Sequence, residues 1–142
     1  MTSRPAITHR LRTYLRSRLT GDRGSTSLQL VIIFPAVLAL IFGGVQTALY
    51  FYARNVAIAA AQEGARAAGA QYGSASAGTA AASDFIARAG GADALPAASV
   101  SGNRSGTTAT VTVRGRSLSL VPGYSGIDIT QSASVPVERI TR

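Results

Sequence analysis

Residues 25–53, STSLQLVIIFPAVLALIFGGVQTALYFYA, form an uninterrupted stretch without Asp, Glu, Lys, Arg or His. A helix of about 20 residues, rising ~1.5 Å at each, crosses the ~30 Å hydrocarbon core of a bilayer. In lipid a lone segment must be helical, because it has no other way to satisfy its backbone polar groups. The sequence therefore predicts a transmembrane helix over residues 25–53.

The first 24 residues are strongly basic, with six arginines against one acid, Asp22, and they carry +5 of the net charge of +8. Arginine-rich flanks mark the cytoplasmic side of a membrane helix. This predicts a cytoplasmic N-terminus and an external C-terminus, set by Arg10, Arg12, Arg16, Arg18 and Arg23. Nucleic-acid binding is the weaker interpretation, because lysines and aromatic platforms are missing. A short amphipathic helix and a disordered tail both remain open for this leader.

The start of the long helix is predicted at residue 25. Gly21 and Gly24 disfavour a helix before it, and Ser25 or Thr26 is a suitable N-cap. Pro35 lies well inside the apolar stretch, where it removes one backbone donor. We therefore expect a helix that begins near Ser25 and is kinked just before Pro35.

Small residues four apart occur near the end of the apolar stretch, where Gly43 precedes Thr47 and Gly44 precedes Ala48. This spacing lets two membrane helices approach closely. It predicts helix–helix assembly, into homo- or hetero-oligomers, while ordinary membrane-helix composition is the alternative. Tyr50 and Tyr52 suit an aromatic belt at the outer interface.

The remaining residues, 54–142, predict an α+β domain outside the membrane. The long helix continues through an alanine-rich stretch to about Gln71, and a second helix covers 75–89 before Gly90 and Gly91 end it. Alternation of apolar and polar residues then predicts three or four antiparallel strands packed on the long helix. These lie at 97–102, 107–116, 127–138 and, as a strand or a loop, 117–121. A turn is expected at 103–106, and Pro136 marks the last strand as an edge strand or as the exit from that strand.

Catalytic chemistry is not indicated by the residue types present. The chain has one His, no Cys and six scattered acids, so it offers no nucleophile–base pair and no metal-ligand spacing. The lone His9 has no partner for either role. We therefore predict a protein that is not an enzyme and binds no cofactor.

The Gly24–Ser25 bond is the candidate processing site, because it directly precedes the apolar helix. Glycine lets a peptide backbone enter a cleft that has no room for a side chain, and we expect the bond to be unfolded there. A rival site for signal peptidase is the A-x-A sequence at Ala57–Ile58–Ala59. The leader and the apolar stretch are both too long for an ordinary signal peptide.

Three motifs together resemble the TadE-like proteins, the minor pilins or pseudopilins of the tight-adherence pilus system. They are DRGSTSLQL at 22–30, Pro35 within the helix, and QEGARAA at 62–68. The ending SVPVER, at 134–139, resembles the actinobacterial branch of this family.

The resemblance implies a pilin-like fold, cleavage after Gly24 by a prepilin-type aspartic peptidase, and a helix from Ser25 that packs with other pilins. The family has Glu at the fifth position after the cleaved glycine, where this chain has Gln29. In pilin assembly that Glu is thought to neutralise the new α-amino group of a neighbour. An amide accepts a hydrogen bond from an ammonium group but does not cancel its charge.

Two hypotheses follow for function. The first is a processed structural subunit of a tight-adherence pilus or of its assembly machinery, held in the cell membrane or displayed in a surface pilus. The alternative is an uncleaved, single-pass membrane anchor whose outer domain binds a partner, which Gln29 favours. Cleavage at Gly24 separates them.

Overall fold

The computed structural model describes residues 22–139, with side chains from Gln29 onward. Two compact units divide the chain, residues 1–41 and residues 42–142; the second is called the C-terminal unit below. The elements are listed in chain order. They are helices α1 (Asp22–Gly69) and α2 (Ala75–Arg88), a short 3-10 turn (Gly91–Asp93), and strands β1 (Ser99–Arg104), β2 (Thr108–Arg116) and β3 (Asp128–Pro136).

Helix α1 is longer at its start than the sequence predicts. It includes Asp22 and Gly24, so the predicted start at Ser25 or Thr26 is wrong. A glycine inside a helix costs only about 1 kcal/mol relative to alanine, which does not end a helix that continues on its other side. Pro35 lies inside α1 as expected, and the kink there stays a prediction.

The second half of α1 forms one side of the core. Its buried face consists almost entirely of small residues, namely Ala53, Val56, Ala57, Ala60, Ala61, Ala65 and Ala68. Short side chains allow close approach of other elements, and α2 contributes Ala82 and Ile86 to the same cluster. The predicted packing of the domain against a thin helix is confirmed.

The sheet has three antiparallel strands in the order β1-β2-β3. The inner face of β2 presents Ala109, Val111 and Val113, all fully buried, as the alternating pattern predicts. On the outer face, the hydroxyl of Thr110 bonds that of Ser134 at 2.7 Å. Strand β3 is an edge strand that ends at Pro136, also as predicted.

The first hairpin differs from the sequence prediction by two residues. Strand β1 continues through Arg104, so the turn predicted at 103–106 falls later. The hydroxyl of Ser105 accepts hydrogen bonds from the amides of Thr107 and Thr108. These bonds satisfy the turn's own backbone and fix where the strands separate.

Residues 117–127, between β2 and β3, form a loop. Residues 117–121, for which a strand and a loop were both open, are therefore part of a loop. The fold is therefore the predicted α+β arrangement, with a long helix, a short helix and a three-stranded antiparallel sheet packed against the long one.

Candidate membrane segment and its junction with the folded domain

The first described half of α1 is apolar and uncovered. Every residue from 29 to 45 is exposed in the isolated chain, including large side chains such as Leu40, which is 77% exposed. A contiguous apolar surface of this size is unusual on a soluble monomer. Among the described residues, α1 is the one helix long and apolar enough to cross a membrane, and it lies near the N-terminus.

Gln46 joins α1 to the loop of residues 117–127, called the junction loop. Its side-chain amide donates to the carbonyl of Leu118 at 3.0 Å. Its side-chain oxygen accepts from the amide of Leu120 at 3.1 Å. The donor nitrogen and the acceptor oxygen of one side chain are therefore both hydrogen-bonded to the backbone of a loop more than 70 residues away in the chain.

The remaining residues of the apolar stretch also belong to the folded domain. Ala53 is only 1% exposed and lies in the core cluster, against which Tyr50 packs. The hydroxyl of Tyr52 donates to the carbonyl of Ala89, at the end of α2, at 2.9 Å. These tyrosines therefore make contacts within the C-terminal unit that the aromatic-belt prediction did not include.

The predicted assembly residues contact little within the chain. Gln29 and Pro35 are exposed on α1. A Cβ built on Gly43 or on Gly44 would meet nothing within 4 Å. The hydroxyl of Thr47 donates to the carbonyl of Gly43 at 2.8 Å, a bond inside the helix. Their role in assembly stays a prediction.

The processing residues Gly24 and Ser25 lie in the first turn of α1. The expectation of an unfolded bond there is wrong, because the helix already includes Asp22. Arg23 lies in the same turn. The other topology residues, Arg10, Arg12, Arg16 and Arg18, lie outside the described residues, as does His9.

The charged side chains of the described residues form no cluster suited to a metal ion. Residues 22–139 contain no group of three His, Cys, Asp or Glu side chains placed to hold a metal ion. Glu63 and Arg66 form an ion pair at 3.5 Å on an exposed face. Arg116 and Asp128 form a second exposed pair at 2.6 Å. Surface pairs of this kind contribute little to stability.

Gln46 is the residue that the sequence prediction missed. The signal was present, since Gln46 is one of only two amide side chains in residues 25–53. A polar amide beside lipid or in a core requires a partner. What the sequence does not show is that the partner is the backbone of a loop between two strands.

Fold and junction together define a class of protein, in which a helix suited to cross a membrane continues into the core of a small α+β domain. The family model described as TadE-like protein matches residues 24–66. Residues 24–66 are thus similar to TadE-like proteins, which confirms the resemblance carried by the motifs in this range. No curated protein and no solved structure matches the chain. Assignment to the actinobacterial branch stays a prediction.

The match associates the chain with the tight-adherence pilus system. TadE-like proteins are structural pilus components, so the match agrees with a role that is not enzymatic. It covers the helix that carries Gly24, Gln29, Pro35, Gly43 and Gly44, whose individual roles it does not assign.

Proposed function

We propose that the chain is a pseudopilin or minor-pilin-like structural subunit of a tight-adherence pilus or of its assembly machinery. The observation that carries this proposal is the TadE-like match over residues 24–66. It coincides with a helix that is exposed and apolar in one half and covered by a small domain in the other. Such a helix could first span the membrane and later pack against the helices of other subunits.

The membrane-spanning part of α1 is proposed to be residues 25–45. Gln46 contacts the junction loop, and Tyr50 and Ala53 lie in or against the core cluster. These three residues are therefore unsuited to face lipid on all sides. The remaining 21 residues, at ~1.5 Å each, would span about 31 Å, the thickness of one hydrocarbon core. The arginine-rich leader supports a cytoplasmic N-terminus and an external C-terminus.

Cleavage between Gly24 and Ser25 by a prepilin-type aspartic peptidase is the proposed processing step. This bond lies in the first helical turn. The amides of a first turn have no partners within the helix, so that turn is the least costly to unwind. A peptidase at the cytoplasmic face of the membrane therefore needs to open only the start of α1.

Helix packing between subunits is proposed for the exposed half of α1. Gly43 and Gly44 leave room for a neighbouring backbone. After cleavage Gln29 would be the fifth residue of the mature chain, and its amide oxygen would accept from a neighbour's terminal ammonium group. Because that bond leaves the charge in place, we expect weaker self-assembly than for a subunit with Glu there.

The experiment is intact-mass analysis of the full chain extracted from membranes of cells that contain an active prepilin peptidase. We expect a mature chain that begins at Ser25. The variant Gly24→Leu should accumulate as the full-length precursor. Gly21→Leu is the matched control, because it changes a nearby leader glycine away from the bond, and it should be processed normally.

A wild-type chain that keeps residues 1–24 in those cells would contradict the proposal. It would support the alternative, an uncleaved membrane anchor whose outer domain binds a partner. In that case Gly24→Leu should leave surface display unchanged.

A further inference from the structure

We propose that the junction loop, residues 117–127, is a second membrane contact. It would insert Leu120, Val121 and Tyr124 into the interfacial region of the same bilayer that α1 crosses. The inference rests on the membrane crossing by α1 and not on cleavage or pilus assembly.

Beyond α1, the loop carries nearly all the exposed large apolar side chains of the folded domain. Within residues 54–139 these are Tyr72 and four residues of the junction loop, Leu120, Val121, Tyr124 and Ile127. The loop sequence, SLSLVPGYSGI, has no charged residue. The outer face of the neighbouring sheet is, by contrast, built mostly from Ser, Thr and charged side chains. Beyond α1, the exposed large apolar side chains are therefore concentrated in one loop.

The loop is a closed structure with a fixed base. The amide of Ser117 donates to the carbonyl of Ile127 at 2.9 Å, and the amide of Ile127 donates back to the Ser117 hydroxyl at 3.1 Å. Ser117 is 1% exposed. Gly126, with φ +81°, allows the tight return of the chain. The apolar tip is thus held outward from a buried base.

The contact with Gln46 fixes where along α1 the loop lies. Gln46 bonds the backbone at Leu118 and Leu120, and it directly follows the unbroken run of exposed residues 29–45. Between the helix and the loop lies an open apolar cavity of about 480 Å³. It is lined by Phe42, Gly43, Gln46, Leu120, Val121 and Pro122. The loop therefore lies beside residues 42–46 of α1.

A lipid surface is the occupant that these observations favour. If residues 25–45 span the hydrocarbon core, the loop lies at the level of the headgroups. Tyrosine and adjacent apolar side chains are enriched at that depth. The loop offers no charge to pair with a polar partner, and its apolar surface adjoins that of the helix. Lipid that covers the helix would reach the loop as well.

The test uses the absence of tryptophan from the chain, which lets one substitution report one site. Tyr124→Trp reports the loop and Phe34→Trp reports the helix. Tyr72→Trp is the matched control, because Tyr72 is 93% exposed and lies beyond the far end of α1. Each full-length variant is reconstituted into phosphatidylcholine vesicles, and emission is compared with and without brominated acyl chains.

We expect Tyr124→Trp to emit at shorter wavelength and to lose more intensity with bromines near the headgroups than with bromines deep in the acyl chains. Phe34→Trp should be quenched most by bromines deep in the acyl chains. Tyr72→Trp should show neither effect. Far-UV circular dichroism of each variant confirms that the fold is kept.

Quenching of Phe34→Trp without quenching of Tyr124→Trp would overturn the loop contact and leave the crossing by α1 intact. A shift of Tyr124→Trp emission without bromine quenching would also overturn it, because a second protein would then cover the loop. Loss of quenching at Phe34→Trp would overturn the crossing and the loop contact together. Proteolytic processing is measured separately by mass, so its failure leaves this result standing.

Discussion

Gly64 of α1 and Gly78 of α2 lie so close together that neither has room for a side chain. A Cβ on Gly64 would lie 2.6 Å from the carbonyl oxygen of Gly78, and a Cβ on Gly78 2.7 Å from that of Gly64. Val111 of β2 lies about equally near to both glycines. The two helices therefore pack backbone to backbone over the centre of the sheet.

Gly64→Ala is expected to destabilise the folded domain. Alanine favours a helix over glycine by about 1 kcal/mol, but the new Cβ would displace a backbone carbonyl, and overpacking of this kind costs about 1–3 kcal/mol. We expect a Tm lower by roughly 5–10 °C for a domain of this size, measured by circular dichroism on the full chain in detergent.

Gly44→Ala is the matched control for Gly64→Ala, since a Cβ there would meet nothing within 4 Å. It should melt at or above the wild-type temperature. If Gly64→Ala also melts at or above that temperature, the close contact between α1 and α2 is wrong.

Leu95→Ala is expected to lower the free energy of unfolding by about 3 kcal/mol, since Leu-to-Ala changes in cores cost about 2–5 kcal/mol. Leu95 is fully buried. Its side chain fills the space beside Gly115, where an added Cβ would lie 2.5 Å from the Cγ of Leu95. Leu120→Ala is the control, because Leu120 is 45% exposed. Denaturant unfolding in detergent compares the two, and equal losses would contradict the assignment of Leu95 to the core.

Gln46→Ala is expected to release the junction loop while the domain stays folded. The amide of Leu120 loses its acceptor, and a lost hydrogen bond of about 1 kcal/mol corresponds to exchange faster by roughly fivefold. Hydrogen–deuterium exchange of residues 117–127 measures this. Gln71→Ala is the control, because the side chain of Gln71 bonds only the exposed hydroxyl of Tyr72, at 3.4 Å. Unchanged exchange at Leu120 would show that Gln46 does not hold the loop.

Tyr52→Phe is expected to lower the Tm of the folded domain by a few degrees. It removes the hydrogen bond to the carbonyl of Ala89, and such a bond contributes about 0.5–1.5 kcal/mol. Tyr72→Phe, which loses only its bond with Gln71, should have no measurable effect. If both variants melt like the wild type, Tyr52 does not tie α1 to α2.

Local patterns in the sequence were sufficient for much of the fold. The 29 uncharged residues at 25–53 predict one long helix because the transfer of apolar side chains into lipid depends on composition alone. The alternation through Ala109, Val111 and Val113 predicts the buried face of β2, since side chains along a strand point to opposite sides in turn. Gly90 and Gly91 predict the end of α2, which is also a local signal.

The boundaries of elements were less accurate, and the errors have local causes. The helix start was placed three residues late because a glycine was taken to end a helix that its neighbours continue. The turn of the first hairpin was placed early because Asn103 and Arg104 look like turn residues. Their pairing with Thr110 and Ala109 is a property of the sheet.

The sequence by itself determined the apolar segment, the order of helices and strands, and the TadE-like motifs, because each depends on residues near one another in the chain. Only the tertiary structure decided that Gln46 binds the junction loop, that Gly64 meets Gly78, and that the helix joins the domain core from Tyr50 onward. These contacts depend on groups separated by as many as 74 residues. Their geometry arises only when the sheet has packed on the helix, so no local pattern encodes it.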